Sequence, residues 1–174
     1  GIGGQPDLVT SYAYDAAGRE VSETISGGSL STTATRSYDL AGRLTTSVDH
    51  QGLTTLYTYL PGVNAGPQRR GGTSTTTHPG GFTTITETFC DGQLASMTGD
   101  AQVSQYYDYG VNADGSQWTL VRTGGGDSPR WRKRTADRLG RTTLEEKSDY
   151  GGTVTTAHAY NAANQLIRTE RSGQ

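Results

Sequence analysis

A short motif recurs along the chain at nearly constant spacing, and this repeat restricts the possible folds more than any other feature of the sequence. The two clearest copies are Tyr14-Asp15-Ala16-Ala17-Gly18-Arg19 and Tyr38-Asp39-Leu40-Ala41-Gly42-Arg43. Successive anchor residues of the motif are 24, 24, 26, 23, 25 and 24 residues apart. Such a period predicts that residues 1–174 form a single array of about seven similar units, each stabilised by its neighbours. The anchors are Gly18, Gly42, Gly66, Gly92, Gly115, Gly140 and Asn164.

The motif has the chemistry of a tight turn. In an Asp-x-x-Gly sequence, the aspartate accepts hydrogen bonds from backbone N–H groups ahead of it, and the glycine supplies a positive φ. Asn164 fits the same position because asparagine tolerates left-handed backbone conformations. We expect the repeated aspartates to share one turn position and to be structural, not catalytic. They are Asp15, Asp39, Asp91, Asp114 and Asp137.

A second set of turn-forming segments lies midway between the anchors, at residues 27–28, 49–52, 79–81, 99–100, 124–126 and 150–152. Turns therefore arrive about every 12 residues, the spacing of consecutive antiparallel strands. Between the turns, side chains alternate with period two, which places Leu44, Thr46 and Val48 on one face. The sequence predicts an all-β fold of antiparallel β-hairpin repeats, each about 24–25 residues long. About fourteen strands are too many for a flat sheet, so we expect a curved or spiralling one, as in a β-shell or solenoid.

Aromatic residues stand near the ends of the incoming strands. We expect each of them to be covered by a neighbouring repeat, because cross-strand aromatic packing is a main stabiliser of sheets. They are Tyr14, Tyr38, Tyr59, Phe89, Tyr107 and Tyr160.

The composition agrees with a thin β-structure and argues against intrinsic disorder. Hydrophobic residues make up only 31% of the chain, and 28 Thr and 25 Gly take their place. Disordered chains are poor in aromatic residues, whereas this one has ten Tyr, two Trp and two Phe. The net charge of −2 disfavours a general role in binding nucleic acid or anionic membranes. No apolar run approaches the roughly 20 residues that span a bilayer, so we expect no membrane insertion.

The motif copies resemble the tyrosine-aspartate (YD) or RHS repeat family, whose arrays occur in bacterial polymorphic toxins, insecticidal toxin-complex subunits, wall-associated proteins and teneurin-like proteins. The resemblance extends over essentially the whole chain and is strongest at residues 12–60 and 136–168. It implies hairpins that coil into a hollow β-shell, often around a C-terminal effector, in a secreted or cell-surface protein. The family's Asp-Pro-x-Gly-Leu signature, which accompanies self-cleavage, is absent from the sequence. The resemblance therefore implies a scaffold and not a protease.

The function that we expect is a non-enzymatic structural scaffold, located outside the cell or on the bacterial surface. The scaffold is expected to be a shell wall around a C-terminal effector. The alternatives are the repeating unit of an extracellular fibre or stalk, and a glycan-binding adhesion surface. No nucleophile elbow, phosphate-binding loop or dinucleotide fingerprint occurs in the sequence. Each end is expected to hold half a hairpin, which would pair with another copy of the chain or with a continuing repeat array.

One cluster of positive charge stands out, at Arg130-Trp131-Arg132-Lys133-Arg134, with Arg138 and Arg141 following. Cations beside an aromatic ring can grip phosphates and stack bases, which makes this cluster a candidate for binding a polyanion, with nucleic acid the less favoured ligand. Alternation places Arg130, Arg132 and Arg134 on one strand face and Trp131 on the other. This is equally the pattern of a solvated strand face.

The sequence gives no basis for a metal or cofactor site. His50, His78 and His158 share no ligand spacing, and Cys90 is the single cysteine, whereas a zinc site needs three or four converging ligands. The segment Gly124-Gly125-Gly126-Asp127 resembles one turn of a calcium-binding repeat, but such turns bind in tandem stacks. We therefore expect neither a metal nor a cofactor.

Overall fold

The structure is a computed structural model that describes residues 7–62 and 70–173. These residues form fourteen β-strands and no helix. Neighbouring strands pair antiparallel, and the strand order in the sheet is the order in the chain. The prediction of an all-β array of hairpins is therefore confirmed, while its curvature stays a prediction. The strands are β1 (Val9–Tyr14), β2 (Glu20–Gly27), β3 (Leu30–Tyr38), β4 (Leu44–Val48), β5 (Thr54–Pro61), β6 (Arg70–Thr77), β7 (Thr83–Phe89), β8 (Leu94–Thr98), β9 (Gln105–Val111), β10 (Gln117–Thr123), β11 (Trp131–Ala136), β12 (Thr142–Asp149), β13 (Gly152–Tyr160) and β14 (Leu166–Ser172).

Within the part of the chain that the structure describes, eight connections between strands are turns of one geometry. In each, the backbone N–H of the first residue donates to the carbonyl of the fifth, and the N–H of the fourth donates to the carbonyl of the first. The fourth residue has a positive φ, between 62° and 90°, where a Cβ is penalised unless the residue is Asn or Asp. The fourth residues are Gly18, Gly42, Gly52, Gly81, Gly92, Gly115, Gly140 and Asn164. The predicted anchor Gly66 lies outside the described residues.

The chain divides into two compact units. Of the described residues, the first unit contains 7–60 and 73–84, and the second contains 61–62, 70–72 and 85–173. Ala34 is buried in the first unit, and Ala95 and Val154 are buried in the second. No large side chain is fully buried among the described residues. The stability of each unit therefore comes from strand pairing and cross-strand contacts more than from a separate core layer.

A cross-strand contact in the second unit illustrates this packing. Trp118 of β10 stands opposite Gly110 of β9, and a Cβ on Gly110 would lie 2.3 Å from the Trp118 ring. The ring therefore occupies the space above the neighbouring backbone. Lys133 Nζ of β11 lies 5.0 Å from the centre of the indole ring, close enough for a cation–π interaction.

Gly42 provides a test of the turn geometry. We expect Gly42→Val to lower the free energy of unfolding by about 1–3 kcal/mol, because a β-branched residue is strained at a positive φ. Gly42→Asn should cost less, because Asn164 adopts a φ of 62° at the equivalent position. Thermal and denaturant unfolding measure both changes. Gly125→Val is the control, since Gly125 has no positive φ and nothing within 4 Å of an added Cβ. Equal unfolding free energies for the three variants would contradict the turn assignment.

Candidate functional site

The aspartate that begins a turn binds the arginine that follows the turn. Asp15 Oδ1 accepts hydrogen bonds from the backbone N–H groups of Ala17 and Arg19, both at 2.9 Å. Asp15 Oδ2 accepts a hydrogen bond from Arg19 Nε at 2.7 Å. Both carboxylate oxygens are therefore used inside the turn. The same arginine contacts recur in the pairs Asp39–Arg43 and Asp137–Arg141.

These contacts lower the pKa of the turn aspartates. For Asp15, the hydrogen bond from the backbone N–H of Arg19 is the largest cause of the lowered pKa, and desolvation opposes it. For Asp137, the side chain of Arg141 is the largest cause of the lowered pKa. A carboxylate that keeps its charge and has both oxygens hydrogen-bonded is a weak general base. These contacts support a structural role for the turn aspartates.

The expectation that all five aspartates share one turn position is wrong for Asp91 and Asp114. The turns at these places begin at Phe89 and Asn112, so each aspartate is the third residue of its turn. Each still accepts a hydrogen bond from the backbone N–H two residues ahead, at 3.0 and 2.9 Å. A short carboxylate can reach such an N–H from either position. The spacing to the glycine separates the two cases, because the first residue of a turn lies three residues before the glycine, whereas Asp91 and Asp114 directly precede theirs.

Asp49 and Asn161 also begin turns of this geometry and use their side chains as Asp15 does, a role that the sequence interpretation did not assign to them. Asp49 Oδ1 accepts hydrogen bonds from the N–H groups two and four residues ahead, at 2.8 and 2.9 Å. Asn161 Oδ1 does the same at 3.0 and 2.9 Å. An Asp or Asn three residues before a Gly or Asn is the signal that would have found both.

The arginine held by the turn aspartate reaches the tyrosine of the next repeat. Arg19 Cζ lies 4.7 Å from the ring centre of Tyr38, and the Tyr38 hydroxyl donates to the Glu20 carbonyl at 2.9 Å. Arg141 and Tyr160 repeat this contact at 4.9 Å, and the Tyr160 hydroxyl again donates to the carbonyl that follows the arginine. We call this arrangement the Asp-Arg-Tyr clamp. It gives the Tyr, Asp and Arg of the motif one shared function, which is to join consecutive repeats.

An arginine side chain lies over four of the six predicted aromatic rings, Tyr38 and Tyr160 among them. Arg43 lies 4.6 Å from the ring centre of Tyr59, and Arg70 lies 5.2 Å from that of Phe89. All the predicted rings are half-buried except Tyr14, which is 61% exposed, so the prediction is wrong for Tyr14. Tyr14 lies on β1, and no earlier described strand supplies an arginine to cover it.

The predicted polyanion-binding residues do not all lie on one face of the sheet. Arg130, Arg132 and Arg134 are exposed, with Arg132 opposite Lys147 of β12. Trp131 stands opposite Arg122 of β10, on the other face of the sheet, and so cannot stack a base held by the three arginines. On the arginine face, a concavity of about 690 Å³ is lined in part by Arg132, Arg134, Lys147 and Arg171. The last two come from strands that the sequence analysis did not connect with the cluster.

The two arginines after the cluster have structural partners. Arg138 Nε donates to the Asp114 carbonyl at 3.0 Å, and Arg141 belongs to a clamp. Arg138 thus contacts the turn of the preceding repeat. Arg141 contacts the turn of the following repeat, because its Nη1 also donates to Asn164 Oδ1 at 2.7 Å. Neither lies in the concavity lined by Arg132.

The histidines lie in separate places. His50 Nε2 is 3.7 Å from Glu23, His78 Nε2 is 3.0 Å from the Thr84 hydroxyl, and His158 Nε2 is 4.0 Å from Glu145. Within residues 7–62 and 70–173, no three or more His, Cys, Asp or Glu side chains are placed to hold a metal ion. The same part of the chain contains no helix long and apolar enough to cross a membrane.

Comparisons with protein-family models and with curated proteins found no match to this chain. The resemblance to YD/RHS repeats therefore rests on the motif copies themselves. The turn geometry and the Asp-Arg-Tyr clamp supply the physical basis for a functional proposal.

A double-mutant cycle tests the clamp. We expect Arg19→Gln and Tyr38→Leu to be coupled by about 0.5–1 kcal/mol in the free energy of unfolding, the value of an exposed cation–π pair. The matched control is the cycle of Arg19→Gln with Tyr59→Leu, because Arg43 and not Arg19 lies over Tyr59. Coupling in the control equal to that of the Arg19–Tyr38 cycle would contradict a direct clamp.

Asp39→Asn tests the charge of the turn aspartate. Asparagine can keep the backbone contacts, as Asn161 does, but loses the ion pair with Arg43. Because the pKa of Asp39 is lowered in the folded protein, its charge stabilises the fold above pH about 4 and this contribution is lost as the pH falls below it. We therefore expect Asp39→Asn to be less stable than the wild type at pH 7, by a difference that shrinks as the pH falls below about 4.

Denaturant unfolding across this pH range measures the difference. Asp127→Asn is the control, because the Asp127 side chain makes no hydrogen bond or ion pair within the described residues. A stability difference for Asp39→Asn that stays constant from pH 7 to pH about 2 would show that the charge has no role.

Proposed function

We propose that the chain is a non-enzymatic structural scaffold, a YD/RHS-type repeat segment of a large secreted or cell-surface protein that forms a shell wall around a C-terminal effector. The observation that carries this proposal is the Asp-Arg-Tyr clamp. In this clamp, the charged and aromatic side chains of the motif contact each other across two consecutive repeats. The arrangement favours a protein whose function depends on its continuity as a sheet.

The contacts of the acidic residues support a structural role in place of catalysis. Asp15, Asp39 and Asp137 are bound by their own turn and by the arginine four residues ahead. Their lowered pKa values oppose the protonation that general acid–base catalysis requires near neutral pH. The most regular acidic positions are therefore poor candidates for an active site.

The outer strands favour a second form of the same scaffold, in which copies or continuing repeats pair edge to edge. Every residue of β1 and of β14 is exposed. The exposed apolar side chains at these strands include Val9, Tyr12, Leu166 and Ile167. An edge strand with exposed apolar side chains and free backbone groups readily pairs with another strand. A fibre or stalk built by head-to-tail strand pairing would use both edges.

Electron cryo-microscopy of the natural gene product that contains this sequence, combined with protease mapping, distinguishes the two forms. A shell should appear as a closed β-wall and should protect an enclosed segment from protease until the wall is unfolded. A linear polymer without a protected segment would contradict the shell and favour the fibre. Monomers that neither enclose a segment nor associate would contradict both.

A further inference from the structure

Four of the five cations that line the concavity in the second unit lie on one face of the sheet, and the fifth is Lys133. We call Arg132, Arg134, Lys147 and Arg171 the cationic face. Two rows of directly opposite residues define it. The first row runs Val121–Arg132–Lys147–Val154 from β10 to β13, and the second runs Thr119–Arg134–Glu145–Thr156–Arg171 from β10 to β14. The concavity of about 690 Å³ lies over these rows.

The arrangement places two like charges side by side. Arg132 and Lys147 are direct partners on neighbouring strands, which are about 4.8 Å apart in a sheet. Like charges in this position destabilise the pairing. Glu145 is the single acidic residue in the two rows, and its carboxylate lies 4.0 Å from His158. The other acidic residue that lines the concavity, Glu146, is paired with Lys133, so the two add no net charge. The face therefore carries uncompensated positive charge.

Most cations elsewhere in the described residues have an acidic partner, with Arg130 and Arg138 as exceptions. Arg19, Arg36, Arg43, Arg122 and Arg141 each have an acidic partner. On the opposite face of the same strands, Lys133 lies 4.0 Å from Glu146. Within residues 7–62 and 70–173, Arg132, Lys147 and Arg171 have no ion pair. Local arrangements that work against stability are typical of functional positions.

The floor of the concavity allows the charges to remain in solvent. Val154 is only 3% exposed, so the aliphatic stems around it cover apolar surface while their charged ends stay free. Thr119 and Thr156 lie in the same row as Arg134 and add hydroxyl groups that both donate and accept hydrogen bonds. The surface therefore offers several cations and hydroxyls and few apolar side chains.

We propose that the cationic face binds an anionic polysaccharide through its sulfate or carboxylate groups. Guanidinium and ammonium groups bind such oxyanions by charge-assisted hydrogen bonds. No aromatic side chain lines the concavity, and Trp131 is on the other face, so there is no platform on which nucleic acid bases could stack. An acidic protein segment would need pockets for its apolar anchors, and the lining offers only Val121 and the buried Val154 as apolar side chains.

Binding of a heparin oligosaccharide to the intact chain, measured by calorimetry at two salt concentrations, tests the proposal. We expect Arg132→Gln and Lys147→Gln each to weaken binding about tenfold, as the loss of one charge-assisted contact implies. The same variants should raise the melting temperature of the free protein, because each removes the repulsion within the Arg132–Lys147 pair. The control is Arg168→Gln, an exposed cation of β14 opposite Ala159 and so on the other face, which should leave binding unchanged.

Polyglutamate and single-stranded oligothymidylate serve as competing polyanions. Heparin binding that depends on Arg132 and Lys147 and exceeds that of both competitors would support the proposal. Tighter binding of polyglutamate would indicate an acidic protein ligand, and tighter binding of the oligonucleotide would indicate nucleic acid. Either result would overturn the proposal, as would the absence of heparin binding or an equal loss of affinity in Arg168→Gln.

Discussion

The residue with positive φ at the fourth position of the eight similar turns is the constraint on which the rest of the structure depends. It fixes the length of the turn, and the turn fixes which residues of two strands stand opposite each other. A slip of one residue would move every side chain of a strand to the other face of the sheet. At the anchor turn of Gly42, correct register is what places Asp39 beside Arg43 and brings Arg43 to the ring of Tyr59.

Stability follows from this constraint through contacts between neighbours. Because no large side chain is fully buried among the described residues, cross-strand pairs contribute what a core contributes in a thicker domain. The Asp-Arg-Tyr clamp combines an ion pair, a cation–π contact and a hydrogen bond to a carbonyl within two consecutive repeats. Stability of this kind is a sum over adjacent repeats, so we expect a substitution such as Arg19→Gln to act mainly on its own hairpin and the next.

The proposed functions use different parts of the pattern. The scaffold depends on the regular repeats, where the motif is complete, as at Asp15 and Asp137. The cationic face begins on β11, and the turn that precedes this strand is not formed by the usual Asp-x-x-Gly. Arg132 and Lys147 do not serve the clamp, and their opposition costs stability. A repeat array can tolerate one unfavourable cross-strand pair because the contacts between its other neighbouring strands hold the sheet together.

The sequence by itself determined the class of fold, the positions of most turns and the faces of individual strands. Glycine spacing and period-two alternation depend only on local backbone geometry, which is why they predicted the hairpins and the separation of Trp131 from Arg132. Tertiary structure alone decided that Arg19 lies over the ring of Tyr38 and that Arg171 joins Arg132 on one surface. Each of these depends on register between strands, and register is set by turn type and bulges, which alternation within one strand does not encode.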